Sequence, residues 1–556
     1  MKQYTVVIAL AMTCWMGLLQ PVTASTYLPV NHPVYDFLER METRGVLPLS
    51  HLGIRPTTRT YAARLLSRVY AEKEQLSETD REELNHLLEE FRYDLPQDFL
   101  IEFSKIDSSP VSHLPDCMQF LYSNRQNLYS SVSEDVTLFF DPIFIWSTTR
   151  RDSNINPENN RINVAGNGFV LRGTVGEHVG FYVDVCDSKE WGSRTYNGIP
   201  KSPGIGWFAQ KGDHAEYDET RAYLTYENGP FVISYGRGEN IWGRAKSGSL
   251  ALSDNSPPFD QFRFEASFWK LRFMYVLGEI KQYPQISKIV YAEQVDTNHF
   301  VASQKYITAH RIEINLCKNL SLGLYESVIF GDRFDFSYAN PVTFLRGAEH
   351  YNRDHDNAAM GADFQYIFRT MSVYGEFFID DITTKKIGTD WWGNKFAYQA
   401  GLFIVEPLGL PGIDHRVEYT KIKPWVYTHK YPINSYAHYG DAIGYFSGPN
   451  SDVLFVESRK RFSRRLEVKL VYTRYRHGRN YPDLNIGGDI SLGQIGEGII
   501  SSYFLNGIKS ETIDVSIGFS FEIIRNLLLK GDYMLEYNHD EITNIITCSL
   551  ALNGTE

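Results

Sequence analysis

The stretch Ile513-Asp514-Val515-Ser516-Ile517-Gly518-Phe519-Ser520-Phe521 alternates apolar residues with polar or small ones without a fault. Successive side chains of a β-strand point to opposite faces, so this stretch predicts a strand with one apolar and one polar face. The same period of two recurs in segments 169–172, 311–316, 363–366, 465–472 and 543–552. From about residue 132 onward, the chain is therefore predicted to be a mainly β protein.

Residues 33 to about 94 have a different period, in which apolar residues recur at the spacing of one helix face. A first helix is predicted from residue 33 and ends at Gly45 and Pro48. A second follows the segment Arg55-Pro56-Thr57-Thr58, and a third begins at Ser77, with Asp80 three residues on in a capping position. Three short amphipathic helices predict a small N-terminal bundle.

An apolar stretch at residues 4–19 follows Lys2 and precedes Val22-Thr23-Ala24-Ser25. The small or compact residues before Ser25 match a signal-peptidase site, so residues 1–24 are predicted to be a signal peptide of a secreted protein. No later segment approaches the ~20 apolar residues of a membrane helix. Mean hydropathy is -0.31. That value does not exclude a membrane barrel, whose strands alternate lipid-facing and lumen-facing residues.

Two architectures can use such strands. A soluble sandwich or propeller turns the apolar faces inward, whereas a membrane barrel turns them outward into lipid. The chain has 36 Tyr, 34 Phe and 42 Gly, and aromatic residues are enriched where barrel strands meet the membrane interface. The leader and the aromatic content favour the barrel. The C-terminal residues Leu552-Asn553-Gly554-Thr555-Glu556 favour the soluble alternative, because many outer-membrane barrels end on an aromatic residue.

The spacing of the cysteines and the net charge argue against a zinc- or disulfide-stabilised protein and against a nucleic-acid-binding protein. After the predicted leader the cysteines are Cys117, Cys186, Cys317 and Cys548. Their scattered spacing indicates neither a zinc site nor a disulfide framework. The formal net charge of -12 argues against nucleic acid as a partner.

Several segments resemble, in order, the capsule-assembly family of Wzi-type outer-membrane proteins. They are HPVYDFLERMETRG with RPTTR, NGFVLRGTVGEHVGFYVDV, ISYGRGENIWGRAKSGSLALSDNSPPFDQFRF, AHRIEINLCKNLSLGLYESVIFG, FDFSYANPVTFLRGAEHYNRDHDNAAMGADFQY, VYGEFFIDD, VEYTKIKPWVYTH and YAHYGDAIGYFSGPNSD. The resemblance covers residues 30 to about 540. It implies a large antiparallel transmembrane β-barrel of about eighteen strands over residues 129–556. It also implies a helical periplasmic domain over residues 25–128 and a lectin-like role that holds exported polysaccharide for capsule assembly.

The partners expected on this basis are surface polysaccharide and outer-membrane lipid, with periplasmic or capsule-export proteins as further possibilities. No cofactor and no resident metal are expected. The helical bundle is open to two interpretations, a foot that stabilises the barrel or a docking site for such a partner. Two rival functions use the same barrel: a channel for solutes or glycan, and an outer-membrane enzyme acting on glycan or lipid.

Catalytic motifs such as HExxH, GxSxG and a phosphate loop are absent from the sequence. Residues 349–357 are dense in potential metal ligands, His350 and His355 among them, but charged residues at a barrel rim are common without a metal. Glu376 and Asp380 have the same strand parity and are predicted to face the lumen, where two carboxylates could serve hydrolysis or simply pair with cations. Glu326 has the parity of two Leu residues, so it faces the lumen only if the strand kinks there.

Sugar binding needs flat aromatic faces together with side chains that hydrogen-bond hydroxyls. Aromatic, charged and amide residues of this kind cluster in the blocks quoted above. The predicted polysaccharide-binding residues are Tyr235, Arg237, Trp242, Arg244, Asn255, Glu349, His350, Glu376, Asp380, Tyr427, His429, Tyr436, His438 and Tyr439. The alternative for each is an interface-girdle aromatic or a polar side chain that fills the lumen, both of which any barrel requires.

Overall fold

Eighteen long strands close into an antiparallel barrel in the part of the chain that the computed structural model describes. That part is residues 24–96, 98–100, 127–155, 160–193, 196, 199–200, 204–206, 208–282, 304–353, 355–493 and 501–554. The strands are β1 Val136–Ser153, β2 Asn160–Val175, β3 Val179–Gly192, β4 His214–Asn228, β5 Phe231–Gly238, β6 Phe259–Phe268, β7 Leu271–Lys281, β8 Gln304–Asn315, β9 Leu320–Gly331, β10 Asn357–Phe368, β11 Met371–Asp381, β12 Lys395–Val405, β13 Ile413–Ile422, β14 Ser451–Ser463, β15 Leu466–Arg479, β16 Ile508–Ile524, β17 Leu527–Asn538 and β18 Glu541–Leu552. β18 pairs with β1 and closes the ring. The predicted fold class is confirmed.

The apolar faces of the strands point outward. On β16, which contains the alternating stretch 513–521, Val515, Ile517 and Phe519 are exposed on the outer wall, while Asp514 and Ser516 take the opposite, lumen-facing parity. A soluble sandwich would bury such an apolar surface. An apolar outer wall around a polar interior is the arrangement of a transmembrane barrel.

The two ends of the barrel differ in their connections. At one end, named the turn end, neighbouring strands are joined by short turns such as 229–230, 269–270, 369–370 and 525–526. At the other, named the loop end, long connections run over residues 239–258, 332–356, 423–450 and 480–507. In outer-membrane barrels the short turns are periplasmic and the long loops extracellular.

The predicted helices form at the expected places. They are α1 Pro33–Thr43, α2 Arg59–Ala71 and α3 Glu78–Glu90. The Ser77 hydroxyl accepts the N–H of Asp80 at 3.2 Å, as the capping pattern predicted. Leu38, Leu66 and Leu87 belong to one buried apolar cluster that holds the helices together. None of the helices in the described part of the chain has the length and apolar character needed to span a bilayer.

The helical bundle sits in the turn end of the barrel. Arg40 of α1 is almost fully buried, pairs with Glu406 at 2.6 Å and also contacts Asp414, both of which lie at this end. The Thr60 hydroxyl donates to Glu227, the residue before the end of β4. Residues 1–23, which hold most of the predicted leader, lie outside the described residues, and so do residues 101–126, which lead to the predicted domain boundary near 128.

Candidate functional site

Two of the long connections at the loop end fold into the lumen instead of extending away from it. They are named the inner loops, residues 239–258 and 423–450. The backbone N–H of Ser253 donates to the carbonyl of Ile443 at 2.9 Å, and the Asn255 amide donates to the carbonyl of Ala442 at 2.8 Å. The inner loops therefore pack on one another as a single layer inside the barrel.

Carboxylates on the lumen wall hold the inner loops in place. Glu376 accepts the backbone N–H groups of Leu250 at 3.0 Å and Ala251 at 3.1 Å, and the Tyr325 hydroxyl at 2.8 Å. Asp380 accepts the N–H of Tyr427 at 2.6 Å. The prediction that Glu376 and Asp380 face the lumen is confirmed. Their oxygens are engaged by backbone donors, which is a structural use of a carboxylate and leaves them poorly placed for acid–base chemistry.

Aromatic residues of the predicted site form the apolar core of this layer. Trp242, Tyr427 and Tyr436 are all buried. The rings of Tyr427 and Tyr436 stack with 5.4 Å between their centroids, and the Tyr427 hydroxyl donates to the carbonyl of Leu250 at 2.6 Å. In the folded protein these rings are covered by other side chains, so they support the surface above them.

Arg244 and His438 are also buried, each in a defined hydrogen-bonding role. Arg244 pairs with Glu42 of α1 at 3.1 Å and with Glu313 of β8 at 2.9 Å, which ties the helical bundle to the wall. The His438 ring accepts the N–H of Lys281 at 2.8 Å. Burial, with Lys305 and other cations nearby, lowers the pKa of His438 to about 3, so the ring is neutral at physiological pH.

The remaining predicted residues lie in three separate places. Tyr235 and Arg237 are exposed on the outer wall of β5, away from the lumen. Glu349 is buried and His350 exposed on a helix in the connection 332–356. His429 and Tyr439 are half-buried in the inner loop 423–450. Among the described residues, no group of three or more His, Cys, Asp or Glu side chains is placed to hold a metal ion.

Partly exposed aromatic residues at the loop end include three that were not among the predicted site residues, Trp391, Trp392 and Tyr431. Together with the predicted His429 they are named the rim cluster, which consists of two pairs of rings. Trp391 and Trp392 have ring centroids 5.8 Å apart, Trp392 contacts the buried Trp425 at 5.8 Å, and the rings of His429 and Tyr431 are 5.7 Å apart. The adjacent tryptophans were noticeable in the sequence. The contact between Trp392 and Trp425 could not be read from it, because the two segments meet only in the fold.

Cations adjoin the rim cluster. The Lys386 ammonium lies 5.5 Å from the ring centroid of Trp391, and that of Lys395 lies 6.0 Å from the centroid of Trp392. The His355 ring is 6.4 Å from that of Tyr431. The cluster thus combines partly exposed aromatic faces with hydrogen-bond donors, which is the combination that carbohydrate recognition requires.

A cavity of about 400 Å³ lies beside the inner loops, against the wall formed by β1 to β4. Its polar lining includes Asp184, Glu219 and Arg221, together with Glu239 and Asp254 at the start and near the end of the inner loop 239–258. Arg221 pairs with Glu239 at 2.7 Å and lies 3.6 Å from Asp184. Part of the lumen therefore has room for water or a small polar ligand.

Comparison with solved structures identifies similar barrels. The outer-membrane protein Wzi of Escherichia coli, described as a carbohydrate-binding β-barrel involved in group 1 capsule assembly, matches with a TM-score of 0.58 at 12% identity. The match covers 96% of this chain and 100% of that one. OprD of Pseudomonas aeruginosa matches with a TM-score of 0.42 at 11% identity, over 75% of this chain and 93% of that one. OccAB1 of Acinetobacter baumannii matches at 0.44 and 8% identity, over 75% and 96%.

A search of curated proteins found no match. A sequence profile of the family described as "Capsule assembly protein Wzi" matches residues 121–536, which is most of the chain. The resemblance drawn from the sequence blocks is thereby confirmed. The chain belongs to the Wzi family of capsule assembly proteins.

Proposed function

We propose that this protein is an outer-membrane barrel that binds exported polysaccharide at the cell surface and helps to assemble a capsule or a similar coat, without catalysing a reaction. The observation that carries the proposal is the rim cluster at the loop end. Its partly exposed rings form two pairs, Trp391 with Trp392 and His429 with Tyr431. A family whose E. coli member is described as a carbohydrate-binding barrel supports the same function.

The inner loops support a binding role because they give the rim a rigid base. Trp425, beneath Trp392, donates its backbone N–H to the carbonyl of Gly487 at 2.9 Å. Asp380 and Glu376 hold the loop backbones from below. A binding surface held in one conformation loses less entropy when a ligand binds. The predicted residues Trp242, Tyr427 and Tyr436 contribute in this indirect way.

The orientation of the barrel in the outer membrane, and the partners that each side can meet, follow from the difference between its two ends. The loop end faces the outside of the cell in this proposal, and the signal peptide predicted at residues 1–24 directs the chain across the inner membrane. The helical bundle then faces the periplasm, where it is available to capsule-export proteins. Its buried ion pairs with the barrel, such as Arg40 with Glu406, favour the interpretation that it also stabilises the turn end.

A second function, passage of solutes or glycan through the lumen, is favoured by the cavity beside the inner loops. Charged side chains line part of the cavity, as in a water-filled lumen. The inner loops occupy the other side of the lumen, so we rank this function below polysaccharide binding.

The test is glycan binding by the detergent-purified mature protein on an array of bacterial surface polysaccharides. Replacing Trp392 or Tyr431 by Ala removes a ring that contributes about 1 kcal/mol, so we expect Kd to rise roughly five-fold for each. Tyr235→Ala is the matched control, because this exposed ring stands on the outer wall and should leave Kd unchanged.

Two outcomes would argue against polysaccharide binding at the rim cluster. Equal loss of binding in Tyr235→Ala would place the glycan on the outer wall and contradict the rim proposal. A folded, heat-modifiable protein that binds no polysaccharide but conducts ions in planar bilayers would favour the channel.

A further inference from the structure

One long connection at the loop end folds outward, unlike the inner loops. It is named the outer flap, residues 332–353 between β9 and β10. The chain turns at Asp332, whose φ of 65° lies in the left-handed region. A short 3₁₀ turn, Phe336–Tyr338, and helix α4, Leu345–Tyr351, follow. The flap lies against the outer wall of the barrel.

Contacts with outward-facing side chains establish this position. The Tyr275 hydroxyl of β7 and the Thr308 hydroxyl of β8 both donate to the carbonyl of Tyr338, at 2.8 and 3.1 Å. The carboxylate of Glu326 on β9 accepts the N–H of Leu345 at 2.8 Å. Glu326 has the outward parity of Leu322 and Leu324, as its sequence position predicted. The flap thus supplies a hydrogen-bond donor to this outward carboxylate, which also lies 3.7 Å from the His310 ring of β8.

The flap also covers apolar side chains that would otherwise face outward. Val328 and Phe330 of β9 point to the outer wall, yet both are fully buried, in a cluster with Tyr338, Leu345 and Ala348 of the flap. This cluster is separate from the apolar core inside the lumen. The flap is therefore packed on the wall by its own small core.

The covered part of the wall lies within the apolar belt. Tyr275, which the flap covers, is opposite Phe264 in the register of β6 and β7. Phe262 is two residues nearer the loop end than Phe264, and it is still an exposed apolar residue of the outer wall. The apolar belt therefore reaches nearer to the loop end than the hydrogen bond between Tyr275 and the flap. At the depth of that hydrogen bond, the neighbouring strands face lipid.

The surface that the flap turns away from the barrel is strongly apolar. Phe336 is 83% exposed, Val342 80%, Phe344 62% and Tyr351 92%. Large exposed apolar residues grouped in one short segment mark an interaction surface.

Several polar groups of the flap have hydrogen-bond partners within it or on the adjoining chain. Asp335 accepts the N–H of Ser337 at 2.9 Å and the Asn352 amide at 3.0 Å, and the Tyr338 hydroxyl donates to Asp356 at 2.8 Å. Backbone and side-chain polar groups near hydrocarbon must have such partners. An apolar outer surface over a hydrogen-bonded interior suits contact with lipid.

We propose that the outer flap is a membrane-interface element, and that Phe336, Val342, Phe344 and Tyr351 contact lipid of the outer leaflet. Its continuity with the apolar belt selects lipid as the occupant of this surface. The proposal is independent of polysaccharide binding, because the flap packs on the outer wall and contains none of the rim-cluster residues.

The test is photo-crosslinking of the full-length mature protein in vesicles of bacterial phospholipid and lipopolysaccharide. Phe336 and Val342 are replaced, one at a time, by p-benzoylphenylalanine, which inserts into nearby C–H bonds. Phe519, on the lipid-facing side of β16, is the positive control. Ile387, exposed on the connection between β11 and β12 at the loop end, is the negative control. Both flap positions are already exposed, so the replacements should not disturb folding.

We expect lipid adducts at Phe336 and Val342 in yields comparable with that at Phe519, and no lipid adduct at Ile387. A crosslinked dimer at the flap positions would assign this surface to a second copy and overturn the proposal. Flap positions that yield no lipid adduct while Phe519 does would overturn it equally, because the flap would then stand in water.

Discussion

Arg244 was predicted from the sequence to contact polysaccharide, but its position in the structure implies that its loss will loosen the helical bundle. The side chain is nearly fully buried and joins two carboxylates, Glu42 of the bundle and Glu313 of the barrel. In Arg244→Ala, Glu313 still has its ion pair with Arg311, at 3.4 Å in the wild-type protein. Glu42 keeps one hydrogen bond, from the N–H of Ser50 at 2.6 Å.

The magnitude follows from removing one partner of a buried ion pair, which costs about 3–5 kcal/mol. The cost should depend on pH. Burial already raises the pKa of Glu42 to about 7 against the favourable charge of Arg244, and loss of that charge will raise it further. A carboxyl whose folded pKa exceeds its unfolded value loses stability as pH rises from the unfolded pKa to the folded pKa. This loss ends near pH 7 in the wild-type protein and continues to higher pH in Arg244→Ala. The deficit of Arg244→Ala should therefore grow by up to about 1.4 kcal/mol per pH unit above neutrality.

The assay is pulse proteolysis of the bundle across a urea gradient, in detergent, at about pH 6 and about pH 8, with cleavage between residues 33 and 95 as the readout. Arg237→Ala is the matched control: its exposed pair with Asp260 on the outer wall should cost less than about 1 kcal/mol. The double variant Glu42→Gln/Arg244→Ala removes the buried charge, so its deficit should be smaller and should not grow with rising pH as that of Arg244→Ala does.

One outcome would contradict this role of Arg244: the bundle of Arg244→Ala resists cleavage as well as that of the wild-type protein does, while glycan binding is abolished. A deficit equal to that of Arg237→Ala would also contradict it, because burial would then have no energetic consequence. A deficit that falls with rising pH would reverse the sign expected for Glu42.

Three further predictions concern the inner loops. Trp242→Ala empties a fully buried site and should cost about 3–5 kcal/mol, seen as a lower transition temperature in a heat-modifiability gel; an unchanged temperature would contradict the packing described. Glu376→Gln/Asp380→Asn weakens the hydrogen bonds to Leu250 and Tyr427 and should lower the stability by about 1–3 kcal/mol for each weakened bond. The same gel should therefore show destabilisation. Abolition of a measurable glycan- or lipid-hydrolysing turnover would instead support the enzyme rival. Replacing residues 240–257 by a short Gly-Ser linker should raise ion conductance in planar bilayers, because these residues fill part of the lumen; conductance equal to that of the intact protein would show that they are not the obstruction.

Local patterns in the sequence determined the elements and their orientation. The period of two in residues 513–521 identified a strand and paired its apolar residues on one face, since successive side chains alternate whatever the strand packs against. The Ser77 cap and the helical spacing of residues 33–94 depend on neighbours three or four residues away, and both appear in the structure. Glu326 was correctly placed with its apolar neighbours for the same reason.

The candidate site depended on tertiary structure, because its contacts join residues far apart in the chain. Glu376 holds Leu250 across 126 positions, and Arg244 meets Glu42 across 202. No local period encodes whether a long connection folds into the lumen, as residues 239–258 do, or onto the outer wall, as residues 332–353 do. The sequence determined which residues could suit a sugar or a membrane. Only the closed barrel decided which of them are buried beneath the rim and which are exposed on it, because burial depends on the path of loops whose partners lie on distant strands.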